Sequence, residues 1–332
     1  MINKDLYPWH IDLWHKLIQQ KERLPHALLL HGRAGSGKLA FATFLAKSLL
    51  CAQPVQGAAC HTCPKCTWFN EGHHPDFKLI SPEDAEASED APKKKVSKKT
   101  QIAVDQIRQL IQQLSLSNHG AQSLRVVLIH PAEAMNLASA NALLKVLEEP
   151  PNNTLFLLVC HQVQRLLPTI MSRCQAIAMP MPDSQVAAEW LRQQQVSEAE
   201  VLLQYAGGAP LLALQASHEH GVNTQLFTLL SAGADLDAST SAAHFLEPGM
   251  EQAITGLQKW VYDLLACKCS LPQHYHAQYG RALQALAKGV NLKLLLDYQR
   301  QLSLAKQTAN HPLSQELQME SLLLQYKKLF KP

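Results

Sequence analysis

The chain has 332 residues, with 30 Lys plus Arg against 27 Asp plus Glu and a formal charge of +3. At roughly 100–200 residues per domain this length suggests two or three domains, and 47% hydrophobic against 17% charged residues excludes a disordered chain. No apolar run reaches the ~18 residues needed to cross a bilayer, and so small a net charge cannot by itself drive strong nucleic-acid binding.

The N-terminal stretch MINKDLYPWHIDLW has no apolar signal-peptide core, so a cytoplasmic location is expected. Residues 27–31 (ALLLH) form a short apolar run, followed by GRAGSGKL and an apolar helical stretch from Leu39 to Leu50. Strand, glycine loop and helix in that order form the context of a phosphate-binding loop. Gly32, Gly35, Gly37 and Lys38 match G-x4-G-K, in which backbone N–H groups surround a phosphate and the lysine offers its charge. The residue that should hold magnesium through a hydroxyl is Leu39, which cannot ligate a metal. The loop can still accept phosphate, and ATP binding stays open.

Four cysteines then fall close together: Cys51, Cys60, Cys63 and Cys66, spaced C-x8-C-x2-C-x2-C. In a reducing compartment this cluster favours metal over disulfides, and four thiolates close a tetrahedral shell, so a zinc ion there would be structural. Iron–sulfur ligation and four unrelated thiols are the alternatives, and His61, His73 and His74 lie near enough in sequence to replace a ligand. Residues 77–80 read as a strand. Residues 81–100 carry Glu83, Asp84, Glu86, Glu89 and Asp90, then Lys93, Lys94, Lys95, Lys98 and Lys99, with two prolines and no aromatic residue. This segment reads as a mobile insertion whose charges largely cancel.

Residues 125–130 (RVVLIH) and 154–160 (TLFLLVC) read as further strands, separated by a helix from about Asn136 to Glu148 that Pro150 and Pro151 close. An ATPase needs an acidic pair after the first of these strands, but His130 and Pro131 stand there, and Glu133, beyond the proline, is expected to point elsewhere. Two independent losses make hydrolysis by this chain unexpected. After Pro182 strand-like runs stop and helical segments rich in Leu, Ala and Gln continue to the end. The chain therefore reads as α/β first and all-α second.

In order along the chain, YPWHIDLWHKL, PHALLLHG, the four cysteines, HHPDF, VDQIR at 104–108, NALLKVLEEPPNNTLFLLV, LLPTIMSRC, YAGGAPLLAL and ESLLLQYKKL resemble the δ′ subunits of the bacterial DNA polymerase III clamp loader, members of the AAA+ group. The resemblance implies an AAA+ core with an inserted zinc module (51–66) over 1–181, a small helical lid over 182–216 and a helical collar over 217–332. It implies a non-hydrolysing member of a hetero-pentamer with γ/τ and δ subunits, which places a sliding clamp on primed DNA as a component of the DNA polymerase III holoenzyme. Ser172, Arg173 and Cys174 match the family's SRC motif, so Arg173 is expected to act as an arginine finger in a neighbour's ATP site. An ion-paired surface arginine is the plain alternative. An active γ/τ-type ATPase would need the magnesium ligands missing at Leu39, His130 and Pro131. A zinc-dependent DNA-binding protein would need more basic and aromatic residues near the cysteines than Lys65, Trp68 and Phe69.

Overall fold

The structure is a computed structural model that describes residues 6–82, 101–116, 123–218, 224–309 and 314–330. The charged segment expected to be mobile lies, from residue 83 onward, outside the described residues. The chain divides into two compact units, Met1–Val186 and Ala187–Pro332.

The first unit is built on five strands: β1 (Ala27–His31), β2 (Phe77–Ile80), β3 (Arg125–Ile129), β4 (Thr154–Cys160) and β5 (Gln175–Ala178). All neighbours pair in parallel, in the order β2-β3-β4-β1-β5. Six helices accompany them: α1 (Ile11–Gln19), α2 (Lys38–Leu50), α3 (Pro64–Asn70), α4 (Val104–Leu116), α5 (Leu137–Glu148) and α6 (Pro168–Met171). Alternate residues of each central strand feed opposite cores, as a pleat buried on both faces requires. Leu28, Leu30, Val126, Leu128, Leu155 and Leu157 pack with Trp14, Phe41 and Phe44 from α1 and α2. Ala27, Leu29, Val127, Ile129, Phe156 and Leu158 pack with Ile107, Leu143 and Ile170 from α4, α5 and α6. Continuous apolar strands such as TLFLLVC are read from sequence for this reason: every residue of β4 is buried.

The strand missing from the sequence reading is β5. Its QAIA sequence is short and largely exposed at the sheet edge, so it lacks the apolar run that marks β1 and β4. Expected boundaries elsewhere shift by a residue: the third strand ends at Ile129 rather than His130, and α5 starts at Leu137 with Asn136 as its N-cap, accepting from Ser139 N at 2.8 Å.

The second unit is helical: the end of α7 (Ser184–Gln193), then α8 (Ala199–Tyr205), α9 (Pro210–His218), α10 (Thr224–Ser231), α11 (Ala238–Leu246), α12 (Met250–Lys268), α13 (Gly280–Gly289), α14 (Leu292–Gln307) and α15 (Gln315–Lys328). Helices α7 to α9 close a small cluster around Ala187, Leu191, Leu203 and Ala213, while α10 to α15 share a larger core around Ile254, Trp260, Leu302 and Leu323. Several buried polar groups in the larger core are paired, as a dry interior favours, though His276 Nε2 is buried without a hydrogen-bond partner among the described residues. Trp260 Nε1 donates to Tyr326 Oη at 2.8 Å, and Tyr326 Oη donates to the Leu230 carbonyl at 2.8 Å. The Asp263 carboxylate, fully buried, accepts from the backbone N–H groups of His274, Tyr275 and His276 and from the His276 ring, fixing the loop that enters α13. Burial works to raise the Asp263 carboxyl, but these donors outweigh it and hold it below its ordinary range. No helix among the described residues is long and apolar enough to cross a membrane.

Candidate functional site

Two groups of site residues lie at opposite ends of one helix. Gly37 is the N-cap of α2 and Cys51 its C-cap.

At the N-terminal end, the glycine loop joins β1 to α2 at the carboxyl edge of the sheet, where open α/β folds bind their ligands. Two of its glycines are required by close approach. A Cβ on Gly32 would sit 2.2 Å from the Met179 carbonyl oxygen, and one on Gly37, at φ +92°, would sit 2.5 Å from the Tyr7 ring. The lysine of the motif turns inward. Lys38 is 1% exposed and its Nζ donates to the Arg33 carbonyl at 2.6 Å and to Ser36 Oγ at 3.3 Å. Burial pulls its amine down to about 8, against the opposing pull of the Glu133 carboxylate.

The N-terminal segment packs over this loop. Tyr7 and Trp9 stack with centroids 5.0 Å apart, and Trp9 Nε1 donates to the Ser36 carbonyl at 2.8 Å. His10 is buried against Phe41, with burial and the Lys38 charge holding its ring neutral, down to about 4. YPWH thus has a structural role at the loop that the sequence, read as a family marker, did not disclose. The loop's backbone form is intact, but its charge and its outer face are engaged by the protein's own groups.

The acidic corner is likewise altered. His130 and His161, after β3 and β4, meet edge to face at 5.2 Å, and burial keeps both rings below their ordinary value, His130 at about 4. Glu133 does not point away as expected. Its Oε1 accepts from His161 N at 2.8 Å and Gln162 N at 3.2 Å, and its charge acts on Lys38. One oxygen of the carboxylate is thereby fixed on the backbone after β4, while Oε2 is buried without a hydrogen-bond partner among the described residues, and after β3 the neutral His130 and Pro131 stand where an acidic pair would hold magnesium. Leu39 packs at the margin of the α1–α2 core.

At the C-terminal end of α2 the four cysteine sulfurs converge, all within 4.8 Å of one another. Cys51 Sγ lies 3.5 Å from Cys60 Sγ and 3.8 Å from Cys63 Sγ, and Cys60 Sγ lies 4.0 Å from Cys66 Sγ. Sulfurs bound at about 2.3 Å to one tetrahedral ion stand about 3.8 Å apart, so the set fits a single metal ion and leaves no room for a multi-iron cluster. Backbone N–H groups support the charged form: Gln53 N and Cys60 N point to Cys51 Sγ at 3.4 and 3.3 Å, and Cys63 N to Cys60 Sγ at 3.4 Å. The N–H groups of Thr62 and Cys63 draw the Cys60 thiol down to about 5, whereas burial pushes Cys66 up to about 12. A cation at the centre would favour the thiolate at all four. Two of the three histidines considered as replacements are engaged elsewhere: His61 Nδ1 meets Lys47 Nζ at 2.9 Å, and His74 Nδ1 accepts from Asp76 N at 3.1 Å. Lys65 faces Asp76 at 3.9 Å.

Arg173 follows α6 directly. Its Nη2 meets Glu148 Oε1 at 2.5 Å, and its Nη1 donates to the Thr169 carbonyl at 2.9 Å and to Ser172 Oγ at 3.3 Å. Burial raises the adjacent Cys174 thiol to about 11, as suits a packed rather than a reactive sulfur.

A parallel sheet in the order 2-3-4-1-5, with a glycine loop leading from its first strand into α2, defines a P-loop protein of the AAA+ class. The chain belongs to the family described as DNA polymerase III, delta subunit, whose model matches residues 9–183. It is 42% identical over 226 residues to the DNA polymerase III subunit delta′ of Pseudomonas aeruginosa, a match covering 67% of this chain and 64% of that one. It is 33% identical over 213 residues to the subunit of the same name from Escherichia coli K12, covering 63% and 60%. The matches thus span less than two thirds of these relatives' length. A gamma subunit-related protein of DNA polymerase III from Thermotoga maritima aligns over 96% of this chain and 99% of its own, at 17% identity and a TM-score of 0.43.

Proposed function

We propose that this chain is a non-hydrolysing δ′ subunit of a clamp loader, assembling with γ/τ and δ subunits in the cytoplasm to place a sliding clamp on primed DNA. The AAA+ core takes residues 1–181, α7 to α9 serve as the lid (182–216), and the helices from 217 to 332 form the collar that holds the assembly together. Cys51, Cys60, Cys63 and Cys66 hold a structural zinc ion, whose closed shell leaves no position for water or substrate. Gly32, Gly35, Gly37 and Lys38 are a retained but idle phosphate loop. Arg173 completes the ATP site of a neighbouring subunit, where a planar, permanently charged guanidinium neutralises charge on the transferring phosphoryl group.

The observation that carries the non-hydrolysing reading is the Lys38 amine, buried and bonded to the loop's own Arg33 carbonyl and Ser36 hydroxyl. Together with Leu39 and the neutral His130, it leaves the motif's lysine committed and puts no magnesium ligand at the two positions, 39 and 130, where one is expected. Two measurements test the assignment. The isolated chain should turn over ATP at background rate, and a turnover typical of a motor subunit would refute it. In the reconstituted complex, Arg173→Ala should leave assembly and metal content unchanged while lowering hydrolysis at the one site this subunit faces, by roughly 10³-fold or more. Total turnover then falls only partly, because the remaining sites keep their own arginines. Wild-type clamp loading by that variant would return Arg173 to a structural role.

A further inference from the structure

The guanidinium of Arg173 is held on two sides by different helices. On one side α6 ends in carbonyls that its own turns leave available, and the Thr169 carbonyl accepts both Arg173 Nη1 at 2.9 Å and Ser172 Oγ at 3.0 Å. On the other side Glu148, the last residue of α5, reaches Nη2 at 2.5 Å. Bonds to the Thr169 carbonyl and Ser172 Oγ use both hydrogens of Nη1, and Glu148 accepts one of Nη2. The second Nη2 hydrogen and Nε–H have no partner among the described residues, and the side chain remains 33% exposed. A fork restrained in this way has lost most of its rotamer freedom yet still presents donors outward. The neighbouring acid is placed differently: Glu149 has left the helix, at φ −123° and ψ 73°, is exposed, and forms no ion pair among the described residues.

We propose that Glu148 is the positioning residue of Arg173, fixing the plane of its guanidinium so that the uncommitted donors meet a phosphate on the neighbouring subunit in a ready orientation. This rests on the reading of Arg173 as a trans-acting group. Exposed ion pairs contribute little to stability, and Glu148 is 49% exposed, so the contact serves orientation more than folding. Orientation is expensive to lose in catalysis: a displacement of about 1 Å can cost on the order of 10²-fold in rate.

The test uses the complete complex, reconstituted so that the subunit facing Arg173 is the sole one able to hydrolyse ATP. Glu148→Ala should lower kcat ten- to hundredfold with KM for ATP unchanged and complex assembly normal. Glu149→Ala should match wild type. The double variant Glu148→Ala/Arg173→Ala should be no slower than Arg173→Ala alone, because the carboxylate acts only through the arginine. Glu148→Gln, which keeps an acceptor oxygen for Nη2, should recover part of the lost rate. If Arg173→Ala itself changes nothing, the trans-acting reading fails and this inference with it. If Arg173→Ala is slow while Glu148→Ala matches wild type, or if the two losses multiply in the double variant, Glu148 does not position the arginine.

Discussion

The two ends of α2 carry the two strongest sequence motifs of the chain, and they differ in what their side chains do. At Cys51 the four thiols converge on one point and fit a single ion. At Gly37 the backbone keeps its loop form while Lys38 is committed to the Arg33 carbonyl and Tyr7 occupies the space above the glycine. A spacing of ligand side chains implies a shared centre, because those atoms have no other reason to meet. A spacing of glycines implies only a backbone path, and here Met179 and the Tyr7 ring require that path whether or not a phosphate ever arrives.

The contrast can be broken most forcefully at the metal end. Cys63→Ser should abolish stoichiometric zinc, expected at about one ion per chain, and lower the stability of the first unit by several kcal/mol. Structural zinc sites contribute apparent binding energies of about 10–16 kcal/mol. Metal analysis with thermal melting measures both, and a variant as stable as the wild type, with or without chelator, would remove the metal from the account. At the other end, Gly37→Ala should cost roughly 2–5 kcal/mol, from left-handed backbone strain plus the clash with Tyr7. On the proposed non-hydrolysing reading its ATPase should not differ from that of the wild type. A stability loss without a change in ATPase is the signature of a glycine kept for packing.

A smaller effect belongs to His10. Its folded-state value, about 4, lies below the unfolded 6.5, so the unfolded chain binds the proton more readily. The resulting stability is present above pH 6.5 and lost as pH falls toward 4, by about 2 kcal/mol at pH 4.5. The denaturant midpoint of the wild type should fall relative to that of His10→Phe as the pH drops from 7 to 4.5, and parallel curves would show that His10 does not titrate in this way. Least of all should follow from Leu39→Thr, which restores a hydroxyl without freeing Lys38 or supplying an acid at His130. Its ATP turnover should remain at background.

Much of the first unit was legible because β1, β3 and β4 are buried on both faces and show as unbroken apolar runs. Asn136 and the prolines after Glu149 marked the ends of α5 by their chemistry. What escaped the sequence depends on contacts between distant residues. The exposed QAIA of β5 has pairing partners but little hydrophobic signal. Trp9 meets Ser36, Glu133 meets the backbone after β4, and Glu148 meets Arg173 through turns that bring separate segments together. In the helical unit, Asp263 and His276 carried no motif, and their pairing becomes visible only when the loop before α13 folds back on α12.

The order of the strands has a consequence for how the molecule is made. The earliest strand to be synthesised, β1, finds its neighbours only in β4 and β5: Ala27 pairs with Phe156, and Leu28 with Gln175. Until those later segments exist, the glycine loop and α2 extend from a strand with both edges unpaired and an apolar sequence. Long-range pairing of this kind slows folding and prolongs exposure of sticky edges. On the ribosome, the four cysteines therefore emerge long before the sheet that anchors α2, and early metal capture would give the nascent chain its first fixed point.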